Sequence, residues 1–377
     1  MKTKSIYFDN NATTSIDPRV LEEILKTYDH QIGNPSSIHQ FGQRARSLLQ
    51  KARRDVAEFF SVKNGEVTFT SGGTEAIGWI IRDFVEKNPH GHIITSIVEH
   101  SAVIKTLKNL ESKHPITVTY LSVDESGCVS PESLREAIRE ETSLIFLMAA
   151  NNETGIISDV EGLAAVAKEA NVPFCLDAVG CLGKEPVKLP QGLTALVLSA
   201  HKIYGPSGVG CTIVRRPHQL SPMITGGGQE NNRRSGTENL SGIVGLAKAL
   251  CCLKEDEAAE IISLRNKRDR FEKELREQLD GVHVNGKGSR LSNTSNLAFD
   301  GVDGESLFMT LDLEGLAASL GSACSAGGLE PSRVLTAMGY SPERCAGSIR
   351  FSFGRFTTEE DITRGIEIIV KAVNHLR

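Results

Sequence analysis

An α/β fold is predicted, with a large domain built on a seven-stranded, mainly parallel sheet covered by helices and a smaller α+β domain towards the C-terminus. Three observations predict it. From about residue 65 to 215, short apolar runs alternate with helical patterns, the signature of parallel strands joined by crossover helices. One long polar–apolar helical pattern follows, from about 240 to 280. Beyond it, shorter strand and helix patterns resume, enough for a second, smaller unit.

The elements follow in order. The first 15 residues have no helical period and read as an irregular segment. Strands are predicted at VTFT (67–70), HIITS (92–96), ITVTYL (116–121), SLIFLMAA (143–150), PFCLDAV (173–179), ALVLSA (195–200) and VGCTIV (209–214). Helices begin near Thr74, Ser101, Pro131 and Asp159; in SPESLREAI, Ser130 is an N-cap with Pro131 at the first helical position. The tight HKIYGPSG turn makes the last two strands antiparallel to each other. In the C-terminal part, SNLAFD (295–300), LAASLG (316–321) and SIRFSFG (348–354) read as strands, with helices near 304–312, 331–338 and 358–376.

Composition narrows the function. The chain has 377 residues, is 40% hydrophobic and carries a net charge of −5, which argues against a general nucleic-acid binder. No apolar run approaches the roughly 18 residues of a membrane span, and the N-terminus has no signal-like apolar stretch. Eight cysteines, at 128, 175, 181, 211, 251, 252, 324 and 345, show neither paired nor metal-ligand spacing. Free thiols in a cytoplasmic enzyme are expected, with no resident metal.

Ligands in open α/β sheets gather at the carboxyl ends of strands. Those ends carry Gly72-Gly73-Thr74, His100, Asn151 and Asn152, Asp177, and His201-Lys202. Glycines and a hydroxyl at a helix start suit a phosphate, although a plain capping turn fits as well. Asp177 in an apolar strand is a turn carboxylate or a buried acid facing a cation. Lys202 is a surface turn lysine or, if desolvated, a Schiff-base nucleophile. Phosphate cradle, buried acid and strand-end lysine together are the parts that pyridoxal phosphate requires.

The segments YFDNNATT, GNPSSIHQFG, TSGGTEA, EHSAV, NNETG, LDAVG, SAHKIYGP, RRSGTEN, GSACSAGGLEPSRVL and IRFSFGRFTTEED resemble, in order and over nearly the whole chain, cysteine desulfurases of the nitrogen-fixation and iron–sulfur-assembly type. These are class V aminotransferases of the pyridoxal-phosphate fold type I. The resemblance implies a large domain over 16–255, and a small domain from 1–15 and 256–377 carrying the catalytic cysteine. It implies a Schiff base at Lys202, ring stacking and proton transfer at His100, and a pyridinium partner in Asp177. Asn152 would touch cofactor or substrate. Gly73, Thr74, Ser199 and His201 would hold the phosphate, and Thr237 would reach the phosphate of the other subunit in a homodimer. Arg350, with Asn34 nearby, would bind the substrate carboxylate.

Cys324, in a Gly/Ser/Ala-rich segment expected to be mobile, would be the thiolate that takes sulfur from L-cysteine, leaving L-alanine and a persulfide. It is also a possible transient iron–sulfur ligand. The sulfur would pass to an acceptor or iron–sulfur scaffold protein. Departures from the family pattern are Gly180 in place of a cofactor-bonding glutamine, Ser207 for lysine, Ile77-Gly78, and Asn231-Asn232. A selenocysteine lyase, another lyase using the same cofactor, or a low-activity paralogue acting as a partner protein remain open alternatives.

Overall fold

The computed structural model describes residues 5–29, 33–320 and 332–377. Its strands are β1 (Ile6–Tyr7), β2 (Val67–Thr70), β3 (His92–Ser96), β4 (Thr117–Leu121), β5 (Thr142–Met148), β6 (Phe174–Asp177), β7 (Leu193–Ser199), β8 (Gly210–Val214), β9 (Val282–Val284), β10 (Thr294–Phe299), β11 (Leu316–Ala317) and β12 (Ser348–Ser352). Seven form one sheet in the order β2-β8-β7-β6-β5-β3-β4, with β8 antiparallel to both neighbours and every other pairing parallel.

The central strands are apolar throughout because both faces are covered. Ile94, Leu147, Leu176 and Leu198 pack into one cluster, while Ile93, Phe146, Cys175 and Val197, one residue away in each strand, pack into another. The crossover helices start where their caps dictate. Ser130 Oγ accepts from Ser133 N ahead of Pro131–Ala137, and Asp159 caps Val160–Glu169.

β12-β10-β9 forms a separate antiparallel sheet around Phe271, Phe299, Phe351 and Phe353. The N-terminal segment belongs to this second core. Ile6 and Phe8 are buried in it, with the Phe8 ring edge-on to Phe353 at 4.9 Å. The segment is therefore not wholly irregular: β1 pairs in parallel with β11, Ile6 opposite Leu316. β11 is itself two residues long, shorter than LAASLG suggests, because Ser319 leaves it to exchange backbone hydrogen bonds with Arg350. The helix expected near 331–338 runs over Arg333–Ala337.

Leu240–Gln278 is a single 39-residue helix. It docks on two helices not among those predicted from the sequence, Pro18–Asp29 and Gln40–Phe59. No helix among the described residues is long and apolar enough to cross a membrane. An ionic cluster ties the long helix to both ends of the chain. Asp17, 3% exposed in its side chain, pairs with Arg19 at 2.7 Å and Arg355 at 2.5 Å; these in turn reach Asp256 and Glu260.

The Arg19 hydrogen bonds, helped by Arg355, hold the Asp17 carboxyl at about 2. A folded value below the unfolded one stabilises fully above about pH 4, and that contribution is lost as pH falls towards 2. Asp17→Asn is expected to flatten the acid limb of the stability curve in that window. Urea melts of both proteins at stepped pH would check it; equal acid losses would contradict it.

Candidate active site

The groups at this site come from the strand ends of the large sheet, from the N-terminal segment that crosses those ends, and from β12. β2 ends in Thr70, and the Gly73–Lys87 helix follows at once. Its hydrogen-bond ladder starts with Ala76 N donating to Gly72 O, which leaves the N–H groups of Gly73, Thr74 and Glu75 without helical acceptors. A Cβ on Gly73 would meet Val179 Cγ2 at 2.9 Å, so no side chain fills this cradle. One on Gly72 would meet Ser199 Oγ at 3.8 Å, which places the buried Ser199 hydroxyl at its rim. Glu75 closes the flank, bonded to Ser71 and to Arg234 at 2.9 Å.

Asp177 ends β6, and 5% of it is exposed. Its Oδ1 accepts from Val179 N at 2.9 Å. Burial pushes its carboxyl above the usual range, against the opposing pull of His100 and Lys202. A buried acid in this setting calls for a cation.

His100 caps the Ser101–Glu111 helix. Its Nδ1 accepts from Ala102 N at 3.1 Å, so the neutral ring carries its proton on Nε2. Burial lowers its pKa, with Asp177 pulling the other way and Lys202 adding to the fall. Next to it Glu99 is 1% exposed, with Oε1 accepting from Met148 N at 3.1 Å and Oε2 without a partner. Burial, then Asp177, pushes the Glu99 carboxyl well up.

β7 delivers Ala200–Lys202 as a single 3₁₀ turn. Lys202 Nζ donates to Asn11 O at 2.5 Å and Ala12 O at 2.8 Å. His201 Nδ1 lies 3.1 Å from Thr13 Oγ1, and its carbonyl accepts from Thr14 N and Oγ1. Burial, reinforced by Lys202 and Lys184, brings the His201 imidazole down to about 4, so it is neutral near pH 7.

Arg350, on β12, is 4% exposed and donates to Asp9 Oδ1 at 2.6 Å and to Asn152 O at 3.0 Å. Its Nε is buried with no partner. Asn11 Nδ2 reaches the same Asn152 carbonyl at 3.2 Å. Gly180 is half-buried beside Ala150 O and Asn152, where an added Cβ would find contacts of 3.3 and 3.9 Å.

His100, Asp177 and Lys202 thus share one electrostatic site, with Arg350 joined to it through Asn152 and the segment 9–14. Asn34 is not drawn in: it is exposed, and its Oδ1 accepts from Ser36 N at 2.8 Å. Thr237 is exposed, three residues past Arg234. Cys324 lies outside the described residues.

The contributions of Asp9, Asn11 and Lys184 were not read from the sequence. Asp9 and Asn11 stand in YFDNNATT, a run with no local periodicity, and Lys184 looks like an ordinary turn lysine.

The donor set fits pyridoxal 5'-phosphate. An open N–H cradle at a helix start matches a phosphate, a buried acid matches a ring cation, and an amine stands at the adjoining strand end.

The sequence pattern of the aminotransferase class-V family matches residues 6–364. The cysteine desulfurase IscS of Dictyoglomus turgidum is 42% identical, covering 99% of this chain and 96% of its own. A cysteine desulfurase of Nostoc sp. is likewise 42% identical, over 99% and 94%. Among solved structures, a NifS-like protein superposes with a TM-score of 0.93 at 36% identity, covering 99% of this chain and all of the other.

Proposed function

Because the chain belongs to the aminotransferase class-V family, we propose that it is a cysteine desulfurase using pyridoxal 5'-phosphate. The observation that carries the reading is the convergence of Lys202, Asp177 and His100 beside the open Gly73-Thr74 cradle. When bound, the cofactor supplies an aldehyde for an amine and a cationic ring that takes up electrons.

The residues divide the remaining work. Gly73, Thr74 and Ser199 hold the phosphate, His201 lines the same edge as a neutral ring, and Thr237 serves the second subunit of a homodimer. Asp177 keeps the ring nitrogen protonated, its own buried charge answered by that cation. Lys202 would hold the aldehyde, and its Nζ would accept the substrate Cα proton. His100 covers the ring face and offers its Nε2 proton. Asn152 touches cofactor or substrate, and Gly180 leaves its side of the ring without a side-chain donor.

Arg350 receives the substrate carboxylate, its partly occupied guanidinium aimed by Asp9 and by the Asn152 carbonyl, with Asn34 as a second contact for the substrate. Cys324 forms an S–S bond to the substrate sulfur as the substrate's carbon–sulfur bond breaks. L-cysteine and one enzyme thiol become L-alanine and one enzyme persulfide, which goes on to an acceptor such as an iron–sulfur scaffold.

The same reading places the protein in the cytoplasm. It divides the chain into a domain of 16–255 and one of 1–15 plus 256–377, a split supported by Ile6 and Phe8 sharing a core with Leu264 to Val373.

The test gives the purified, cofactor-loaded protein L-cysteine and, separately, selenocysteine. Alanine is expected from cysteine, with one sulfur added to the peptide carrying Cys324 by mass spectrometry. Cys324→Ala should lose at least ~99% of the rate, within the span of a lost nucleophile. Alanine formation by Cys324→Ala at the parent rate would remove the persulfide step. Turnover of selenocysteine alone would make the protein a selenocysteine lyase.

A further inference from the structure

One buried cation beside the strand-end lysine has no role in the reaction described above. Lys184 is 3% exposed, and its Nζ donates to the main-chain oxygen of Lys202 at 2.7 Å. No carboxylate lies within ion-pair distance of it among the described residues: Glu260, on the facing long helix, binds Arg355 through Oε2 at 2.6 Å and keeps a buried Oε1 without a hydrogen-bond partner. The turn that carries Lys184 is fixed from both sides. Lys184 N donates to Cys181 O at 3.0 Å, and Ser292 Oγ donates to Lys184 O at 2.6 Å. The backbone from which the side chain departs is therefore held in place, while burial and the hydrogen bond to Lys202 O hold the amine itself.

We propose that Lys184 is a positioning residue for Lys202: its hydrogen bond to the Lys202 carbonyl holds the 3₁₀ turn, and its buried charge disfavours a second positive charge on Lys202 Nζ.

Two like charges close together raise each other's cost, the more so where one of them is buried, and placing a cationic neighbour beside a lysine is a general way to free its amine for reaction. The groups facing Lys184 sort clearly. Lys202 and His201 come from the 3₁₀ turn and Cys181 from its own turn. Glu260 comes from the long helix, where Glu257 also faces Cys181, and Glu185 follows Lys184 in sequence. Burial first, then Lys202, brings the Lys184 ammonium down to about 8, while Cys181 and Glu260 pull it back up. It is thus predominantly charged near pH 7 and loses that charge in mildly basic solution.

The inference rests on Lys202 being the residue joined to the cofactor, and the experiment separates the two. The loaded parent, Lys184→Met, Lys184→Gln and Lys184→Arg are titrated by the absorbance of the lysine-linked cofactor. Each is then reduced with borohydride and its modified lysine mapped. Gln retains an N–H for the Lys202 carbonyl but no charge; Arg retains the charge at every accessible pH.

In both neutral variants the apparent pKa of the band is expected to rise by about one unit, a tenfold gain in proton affinity. In Lys184→Arg it should sit at or below the parent value. Unchanged titration in the neutral variants, with the label still on Lys202, would overturn the inference; so would an upward shift in Lys184→Arg, which also decides the matter if the neutral variants do not fold. A label on any other lysine would instead overturn the reading of Lys202 itself.

Discussion

Lys202→Ala is expected to lower kcat/KM for alanine release from L-cysteine by roughly 10²–10⁴-fold, the span of a lost general base. It should also abolish the absorbance band of the lysine-linked cofactor. The size of the effect follows from where the amine stands. Lys202 ends a 3₁₀ turn directly after β7, in the same electrostatic site as Asp177 and His100. Its Nζ has the Asn11 and Ala12 carbonyls as acceptors, which localise the amine.

No other amine replaces it. Lys184, the other lysine facing this turn, is buried and has its Nζ bonded to the Lys202 carbonyl. Lys202→Arg should fail almost as badly, because a guanidinium neither joins an aldehyde nor gives up its proton. Cofactor retention separates this loss from misfolding: the Gly73-Thr74 cradle and Asp177 remain, so the variant should still bind the cofactor reversibly and release it on dialysis. Turnover within tenfold of the parent would remove Lys202 from the chemistry.

The sheet was readable because its strands obey a local rule. Leu144 to Met148 and Leu193 to Leu198 are buried on both faces, so a continuous apolar run marks each strand. The two helices against the long helix follow a different rule, one apolar face rather than a continuous apolar run. The inward residues of Gln40–Phe59 are Gly42, Ala45, Leu49, Ala52, Arg53, Val56 and Ala57, a helically spaced stripe with few large apolar side chains, which a search for apolar runs passes over.

The site divides in the same way. Lys202, Asp177, His100 and Gly73 sit where strands end, and a strand end is visible in a sequence. The partners of Lys202 and Arg350 are not, because Asn11 and Asp9 reach them across 191 and 341 residues of chain. The packing of Ile6 and Phe8 into the second core, with the pairing of β1 to β11, brings that segment across the strand ends.

The largest stability effect is expected at Glu230, far in sequence from the groups it supports. Glu230→Ala should cost about 3–5 kcal/mol, because it strands a buried guanidinium without its counter-charge. The Arg53 and Glu230 side chains are 5% and 2% exposed. Arg53 NH2 meets Oε1 at 2.6 Å and NH1 meets Oε2 at 2.8 Å, a two-pronged pair. Both partners also grip β2: Phe69 N donates to Oε2 at 3.0 Å, Arg53 NH1 donates to Val67 O at 2.9 Å, and Arg53 lies 4.9 Å from the centre of the Phe69 ring.

Glu230 itself is held with φ at +50°, followed by Asn231 and Asn232 at +57° and +64°. Asparagine tolerates that region best of the side-chain-bearing residues, which gives the Asn231-Asn232 departure a backbone reason. Removing the acid thus takes the side-chain tether from a left-handed turn and leaves a buried charge without its counter-charge. Arg53→Met combined with Glu230→Ala should be less damaging than Glu230→Ala alone, since it deletes the stranded charge as well. Denaturant melts of the parent, both single variants and the double variant would measure this. A Glu230→Ala protein within about 1 kcal/mol of the parent would contradict the assignment. Because β2 runs directly into Ser71 and the Gly73-Thr74 cradle, the same variant should also hold the cofactor less tightly, even under conditions where it remains folded.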